Sequence, residues 1–450
     1  MSKAKLQRKD FKSILNENKM GFYQNLMMFF CFAIIALDGL DVVVMGLIAP
    51  QILTEWNVTP QELAPVLSAA LIGLAVGALT SGPLSDRFGR KPILLISVFS
   101  FGLFTLLTAF STNTTELMIL RFLTGLGAGA AAPNAATLAS EFAPERRRLM
   151  CVTIVFAGFS LGAAAGGFLA AWMIPEFGWR SMLYVGGILP MLLVPFLYWK
   201  MPESIPYLLK KQNSQDKIKL QIKRLFPRQN YQNLEIYLDE PPTQKSGLGI
   251  ILSPKYLYGT IMLWTSYFMA LFLVYLCSSW LPTIVKLNNF SISEAAIVAS
   301  FFQLGGPVGC ISLGWLMDRF KPRVVLFITM LVGACATYAL GHFGQSVVLM
   351  CLFASILGFT FNGGCVGLSA IATQYYPTAA RATGTSWMNG IGRFGAIASA
   401  FAGAAMISSG MPFNVMFSLL MIPATLAGVA ILIQGLGNKT KAVSGESVKV

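Results

Sequence analysis

Long apolar runs alternate with short polar segments along the whole chain. Each apolar run is roughly 20 residues long, which is the length a helix needs to cross the hydrocarbon core of a bilayer. Lipid offers no partner for exposed backbone N–H and C=O groups, so runs of this length predict helices. The pattern predicts twelve membrane-spanning helices, at residues 24–48, 62–82, 92–110, 115–138, 149–173, 181–200, 256–281, 293–316, 324–341, 346–370, 382–407 and 412–435.

Composition agrees with an all-α integral membrane protein. Hydrophobic residues make up 55% of the chain and charged residues only 12%, whereas soluble domains carry roughly 25% charged residues. The seven cysteines are scattered and form no CxxC pair, and His342 is the only histidine. These residues give little material for a metal site or a His-based catalytic triad. We therefore expect no metal, no cofactor and no enzymatic activity.

The positions of the basic residues predict the orientation. All but four of the 33 lysine and arginine residues lie in the two tails, the central polar segment or the loops on one side of the predicted membrane. Lysine and arginine concentrate on the cytoplasmic side of membrane proteins, so both termini are expected in the cytoplasm. The net charge of +14 thus reflects topology, with attraction to anionic lipid head groups, rather than nucleic-acid binding. We expect a monomer in a bacterial inner (plasma) membrane.

Two motifs occur once in each half of the chain. Asp86-Arg87 follows the second predicted span, and Asp318-Arg319 follows the eighth. Pro144 ends the fourth span and Pro377 the tenth, and their separation matches that of the two aspartates within one residue. Two six-helix pseudo-repeats are therefore expected. Transporters built in this way place the substrate site near mid-membrane between the repeats.

The predicted layout has five parts. They are an N-terminal cytoplasmic tail (1–23), an N-terminal six-helix half (24–200), a cytoplasmic central loop (201–255), a C-terminal six-helix half (256–435) and a C-terminal cytoplasmic tail (436–450).

Several motifs resemble those of the major facilitator superfamily. They are Gly82-x-x-x-Asp86-Arg87-x-Gly89-Arg90-Lys91 after the second span, Arg121 through Gly125-x-Gly127-x-Gly129 in the fourth, and Pro202-Glu203-Ser204 after the sixth. The resemblance covers nearly the whole chain and implies a twelve-helix transporter that works by alternating access.

Further motifs are similar to those of the aromatic acid/proton symporter branch. They are Asp38-Gly39-Leu40-Asp41, Gly158-x-x-x-Gly162-x-x-x-Gly166-Gly167, and the stretch from Tyr376-Pro377-Thr378 through Arg381 and Gly384 to Gly392-Arg393-Phe394-Gly395. Drug/proton antiporters carry two adjacent glycines in the fifth span, where this chain has Gly162-Ala163. This departure weakens the case for a drug-efflux antiporter, which stays an alternative.

Asp38 and Asp41 are the only acidic residues in the interior of any predicted span, away from its ends. A carboxylate in hydrocarbon is costly, and such residues commonly mark ion pathways. Their i, i+3 spacing puts them on one helix face, where burial and the neighbouring acid both favour the neutral form. At least one is expected to carry the coupled proton, although one could instead neutralise a structural arginine.

Two arginines also lie inside predicted spans. Arg121 lies at about the same depth as Asp41 and could pair with it, bind substrate charge or tune Asp41. Arg393 has no acidic partner in the interior of the six C-terminal spans, and a buried guanidinium without a partner is costly. A substrate carboxylate would fit Arg393 as a fork, whereas a backbone carbonyl is the structural alternative.

Aromatic and amide side chains could complete a site for a flat, partly apolar ligand. The seventh and tenth spans supply the candidates, and packing is the alternative for each: Trp264, Tyr267, Tyr275, Phe359, Phe361 and Asn362. The predicted cytoplasmic latch holds the outward-facing state, with Asp86 and Asp318 each facing a helix N-terminus of the other half. It also includes Arg87, Arg90, Glu141 and Arg381.

The sequence thus predicts symport of protons with a small organic anion, most plainly an aromatic carboxylate such as benzoate or hydroxybenzoate. Three alternatives remain. They are a proton/drug antiporter, a symporter of a non-aromatic carboxylate, and a proton-independent uniporter or channel. A receptor would need a larger soluble domain than residues 201–255 provide.

Overall fold

A computed structural model describes residues 7–211, 215–226, 234–237 and 248–443, and most of them are helical. The elements in chain order are β1 (Gln7–Asp10), α1 (Phe11–Glu17), α2 (Phe22–Glu55), α3 (Pro60–Phe88), α4 (Arg90–Thr108), α5 (Thr114–Phe142), α6 (Glu145–Phe177), α7 (Arg180–Lys200), α8 (Ile205–Lys210), α9 (Gln215–Leu225), β2 (Leu234–Tyr237), α10 (Leu248–Ile251), α11 (Leu257–Leu287), α12 (Ile292–Arg319), α13 (Pro322–Phe343), α14 (Val347–Tyr375), α15 (Thr378–Ser408), α16 (Phe413–Leu419) and α17 (Met421–Val443).

The predicted spans correspond to the long helices. The first six fall on α2 to α7, the next five on α11 to α15, and the last is divided at Leu420 into α16 and α17. Of the described residues, eleven segments are long and apolar enough to cross a membrane. α5 does not reach that apolarity, but it has 29 residues and packs along α3 and α4 within the same bundle.

The helices form two groups of six spans. α2 to α7 pack on one another, as do α11 to α17, and the groups meet mainly through α2 with α11, α3 with α15 and α6 with α12. This confirms the predicted all-α membrane fold with two six-helix halves.

Glycines allow the closest approach between helices of one half. A Cβ atom at Gly162 of α6 would overlap the carbonyl oxygen of Ala36 in α2, and one at Gly39 of α2 would overlap that of Phe159. Membrane helices associate through such small residues because lipid supplies no hydrophobic drive between them. The contact holds α2 rigidly against α6 and so fixes the height of Asp38 and Asp41.

Within the described residues, the two halves meet at one end of the molecule and near its middle, but not at the other end. We call the end that bears Arg87, Arg147 and Arg319 the basic end. At the opposite end, Gly46 of α2 lies against the backbone of Ser278 in α11, and the Ser293 hydroxyl donates a hydrogen bond to the Ala171 carbonyl at 2.6 Å. We call these contacts the seam.

At the basic end, side chains that could join the halves are exposed instead. Asp86, Asp318 and Arg381 are all exposed, and open space surrounds Gly82 and Gly314. The conformation is therefore closed at the seam and open at the basic end.

A small cap at the basic end was not predicted. β1 pairs in parallel with β2, from Gln7 with Leu234 to Asp10 with Tyr237. Below this pair, Phe11 and Ile14 of α1 are buried in one cluster with Ile218 and Ile222 of α9. The sequence indicated only polar segments there, because these apolar side chains are few and far apart in the chain.

The predicted five-part domain layout stays a prediction, and some of it lies outside the described residues. Residues 1–6 of the N-terminal tail, 212–214, 227–233 and 238–247 of the central loop, and 444–450 of the C-terminal tail lie outside the described residues.

Candidate functional site

Asp41 and Arg121 form a buried ion pair inside the N-terminal half. Arg121 Nη1 lies 3.1 Å from Asp41 Oδ1, and the Thr105 hydroxyl donates to the same oxygen at 2.8 Å. Arg121 Nη2 donates to the Thr108 hydroxyl at 3.2 Å. Arg121 is 0% exposed and Asp41 5%. The pairing expected from matched depth is confirmed, and it gives Asp41 fixed donors on one carboxylate oxygen.

Asp38 lies one turn from Asp41 on α2 in a different environment. It is 4% exposed, and its Oδ1 has no hydrogen-bond partner among the described residues. The charges that act on it are those of Asp41, which repels a carboxylate, and Arg393 of the other half, which attracts one. Asp38 therefore has neither the paired guanidinium nor the hydroxyl donor that hold Asp41.

Arg393 borders a cavity of about 160 Å³ between the two halves. The lining residues come from α3, α11 and α15, and they are Leu71, Tyr267, Leu271, Tyr275, Asn389, Arg393 and Ala396. Arg393 is partly exposed and forms no ion pair within the described part of the chain. Its charge also acts on the phenol groups of Tyr267 and Tyr275. The cavity thus combines a guanidinium, two phenol rings and an amide.

Aromatic side chains continue from this cavity towards the basic end. The Tyr267 hydroxyl donates to Asn389 Oδ1 at 2.7 Å, so this predicted ligand contact is held in place by a neighbour. Trp264 stacks on Trp387, with ring centroids 6.0 Å apart and planes 22° apart. Trp264 Nε1 has no hydrogen-bond partner among the described residues. The rings form an aromatic wall shared by α11 and α15.

Phe361 and Asn362 on α14 point in different directions. Phe361 is 0% exposed, and its ring lies against Gly333 of α13, so it packs within the C-terminal half and does not reach the cavity in this conformation. Asn362 lies against Gly306 of α12, next to Ser160 of α6. The expectation that both residues line the site fails for Phe361, since adjacent residues on a helix face different sides.

The residues of the predicted latch occupy two settings. Arg90 Nε pairs with Glu141 Oε1 at 2.8 Å within the N-terminal half, whereas Asp86, Arg87, Asp318 and Arg381 are exposed. A latch that holds the other conformation is necessarily open here, so its role stays a prediction.

The backbone at the start of α4 is held by a residue outside the predicted set. Glu203 Oε1 accepts hydrogen bonds from Arg90 N at 2.8 Å and from Lys91 N at 3.1 Å. An acidic side chain suits a helix N-terminus, where unpaired N–H groups gather. Glu203 thus ties the chain after α7 to the basic end of the N-terminal half.

Sequence reasoning named Tyr275 but missed two other residues of the central site. Thr105 is a hydroxyl in an apolar helix with no charge beside it, so nothing in the sequence marked it. Asn389 carried a usable signal, because it lies one turn before Arg393. Helical periodicity from a known site residue would have found it.

The comparisons with known proteins identify the family. The sequence profile of the Major Facilitator Superfamily matches residues 29–400 and also 264–447. The 4-hydroxybenzoate transporter PcaK of Pseudomonas aeruginosa is 42% identical over 433 residues, which cover 96% of this chain and 97% of that protein. The gallate transporter of Pseudomonas putida is 43% identical over 427 residues, which cover 95% of each.

A solved structure gives the same assignment at the level of the fold. The crystal structure of a D-xylose–proton symporter matches with a TM-score of 0.68 at 17% identity, covering 91% of this chain and 97% of that one. The chain belongs to the Major Facilitator Superfamily. It is a multi-pass membrane transporter and not an enzyme.

Proposed function

We propose that this protein imports an aromatic carboxylate together with protons. The observation that carries the proposal is Arg393, a cation that borders the central cavity beside Tyr267 and Tyr275 and forms no ion pair within the described residues. The relatives named as 4-hydroxybenzoate and gallate transporters support an aromatic acid as the substrate.

The cavity suits an aromatic anion on chemical grounds. A planar guanidinium binds a carboxylate through two parallel N–H···O bonds, and the phenol rings offer faces and edges for a benzene ring. We assign the carboxylate to Arg393 and the ring to Tyr267, Tyr275 and the Trp264–Trp387 pair. Arg121 acts through Asp41, because Asp41 and Thr108 already hold its two terminal nitrogens, Nη1 and Nη2.

We assign the coupled proton to Asp38 and a fixed negative charge to Asp41. Arg121 and Thr105 both donate to Asp41 and stabilise its ionised form, as hydrogen bonds and opposite charges do. Asp38 is buried beside that charge and has only the distant attraction of Arg393 to favour ionisation. An ionised Asp38 competes with the substrate for Arg393, and a protonated Asp38 leaves Arg393 to the substrate anion.

This competition couples the two cargoes. Asp38 belongs to the N-terminal half and Arg393 to the C-terminal half, so their attraction acts across the interface that must move. With the basic end in the cytoplasm, the described conformation faces inward, and the exposed Asp86, Asp318 and Arg381 close the basic end in the outward-facing state. The seam then opens to the exterior.

Charge arithmetic limits the driving force. One proton carried with one monocarboxylate moves no net charge, so the membrane potential contributes nothing. Each net charge that crosses the membrane gains about 2.3 kcal/mol per 100 mV of potential. The potential therefore drives uptake only if more protons than negative charges move together. Accumulation by a single-proton symporter is therefore set by the pH gradient alone.

Uptake into proteoliposomes tests the proposal. With an acidic exterior, we expect the unmodified protein to accumulate radiolabelled 4-hydroxybenzoate. Arg393→Gln is expected to abolish uptake, whereas Arg180→Gln, which changes an exposed arginine, is the matched control and keeps it. Asp38→Asn is expected to retain exchange of internal for external substrate while losing acid-driven accumulation.

Two results would overturn the assignment. Acid-driven accumulation by a variant with both Asp38→Asn and Asp41→Asn would place coupling elsewhere. Export of cationic compounds driven by an acidic exterior, without uptake of carboxylates, would make the protein an antiporter.

A further inference from the structure

A polar pocket at the α6–α12–α14 junction has no part in anion binding or proton coupling as described above. Its members are Ser160 of α6, Gly306 of α12 and Asn362 of α14. A Cβ atom at Gly306 would lie 3.2 Å from Asn362 Cβ, 3.4 Å from Asn362 Nδ2 and 3.3 Å from Ser160 Oγ. The two polar side chains therefore converge on a position in α12 that has no side chain.

The amide of Asn362 lacks a partner within the described part of the chain. Its Nδ2 is covered by protein and makes no hydrogen bond, while the residue as a whole is partly exposed. A buried donor without an acceptor costs free energy comparable to a lost hydrogen bond. Other polar groups in this region do find partners, as Gln303 does with the Ser278 hydroxyl at 3.1 Å. The unsatisfied hydrogen-bond donor of Asn362 therefore needs an explanation.

Asn362 lies on the side of α14 that is directed towards Tyr267 and Tyr275. Cys365 is three residues after Asn362, which places both on one face of α14. Cys365 lies near the phenol groups of both Tyr267 and Tyr275 and near Cys310, and Cys310 is one turn from Gly306 on α12. The face of α14 that carries Asn362 is thus directed towards Tyr267 and Tyr275, which line the cavity beside Arg393.

We infer that Ser160, Gly306 and Asn362 form a subsite for a ring hydroxyl of the transported carboxylate. The inference rests on the proposed function, since Arg393 must hold the carboxylate end. A phenolic hydroxyl both donates and accepts, so it can donate to the Asn362 carbonyl oxygen or the Ser160 hydroxyl and accept from Asn362 Nδ2. Gly306 leaves the approach to both polar groups uncovered, because a methyl group there would lie against Ser160 Oγ and Asn362 Nδ2.

Ser160 belongs to the N-terminal half and Asn362 to the C-terminal half, so a ring hydroxyl bound between them would contact both halves of the transporter. The pocket therefore recognises the ring substituent, whereas Arg393 binds the carboxylate. The subsite favours hydroxylated rings over unsubstituted rings, because a polar site left unpaired disfavours the analogue that lacks the hydroxyl.

The test compares uptake of 4-hydroxybenzoate and benzoate by the same proteoliposomes. Asn362→Leu and Ser160→Ala are expected to lower the ratio of 4-hydroxybenzoate to benzoate uptake by about fivefold or more, as loss of a hydrogen bond of ordinary strength implies. Gly306→Ala is expected to lower that ratio through steric exclusion, with benzoate uptake retained. Arg393→Gln is the contrast variant and lowers uptake of both acids.

The outcomes separate the subsite from the proposed function. An unchanged ratio in Ser160→Ala and Asn362→Leu, with benzoate uptake intact, contradicts the subsite and leaves carboxylate transport standing. Equal losses for both acids in monodisperse Asn362→Leu and Ser160→Ala protein make the pocket structural and also contradict the subsite. Uptake of neither acid by the unmodified protein overturns the proposed function and, with it, the inference.

Discussion

Arg121 and Arg393 both lie inside membrane-spanning helices, but their surroundings differ. Arg121 is 0% exposed and has a carboxylate and a hydroxyl as partners, all within the N-terminal half. Arg393 is partly exposed at a cavity between the halves, and it forms no ion pair in the part of the chain that the structure describes.

The difference teaches what each charge can do. A buried pair with good geometry is locked, because removing either partner strands the other in a medium that solvates ions poorly. A guanidinium at a cavity between two moving halves can exchange partners at little cost to the fold. Arg121 therefore sets a fixed electrostatic environment, and Arg393 is the group that meets different ligands in different states.

The largest expected effect is the loss of stability in Arg121→Gln. This change leaves the Asp41 carboxylate buried without its ion partner, and breaking such a pair typically costs about 3–5 kcal/mol. Arg393→Gln, the matched variant, is expected to change the free energy of unfolding by less than about 1 kcal/mol, because no ion pair is broken. Unfolding by SDS in mixed micelles measures both.

Two outcomes would remove the contrast. If Arg393→Gln were as damaging as Arg121→Gln, Arg393 would have a structural partner and the assignment of a carboxylate ligand would lose its basis. The double change Arg121→Gln with Asp41→Asn should recover part of the stability, since it removes the stranded charge.

A smaller effect is expected from Thr105→Val. The change keeps the shape of the side chain but removes the hydroxyl that donates to Asp41 Oδ1 at 2.8 Å. Hydrogen bonds to charged groups contribute about 1.5–3 kcal/mol, so the loss should lie below that of Arg121→Gln. Thr105→Ser keeps the hydroxyl and serves as the control, with the same unfolding measurement. Equal losses in the valine and serine variants would point to packing rather than to the hydrogen bond.

The sequence predicted one of these two sites better than the other. Matched depth was enough to pair Asp41 with Arg121, because both positions could be counted from the ends of their spans and charges in lipid need partners. The surroundings of Arg393 were harder to predict. Helices that are apolar on all sides give no periodic signal for the face that borders the cavity. Phe361 was therefore assigned to the site and Asn389 was not.

The fold followed from the sequence where one physical constraint dominated. Bilayer thickness and backbone satisfaction dictate the spans, and the two motif pairs indicated the repeat. The β1–β2 pair could not be found in this way, because it joins residues more than half the chain apart through backbone hydrogen bonds. Ser160 and Asn362 converge through tertiary packing, which a single sequence does not reveal.

The smallest expected effect concerns a third arginine, which lies at the seam end of the molecule. Arg180 Nη1 is 2.7 Å from Glu55 Oε1, and the two side chains are 36% and 45% exposed. Water screens such a pair, so Glu55→Gln is expected to lower the free energy of unfolding by only about 0.2–1 kcal/mol.

The hydrogen bond from Trp179 to Glu55 survives this change. The amide oxygen of glutamine can still accept the hydrogen bond that Trp179 Nε1 donates to Glu55 at 2.6 Å, which limits the loss further. Glu55→Leu removes that acceptor as well and should be the more damaging change. If Glu55→Gln destabilised the protein as much as Arg121→Gln, exposure would not separate these arginines, and the locked character of the Asp41–Arg121 pair could not be attributed to burial.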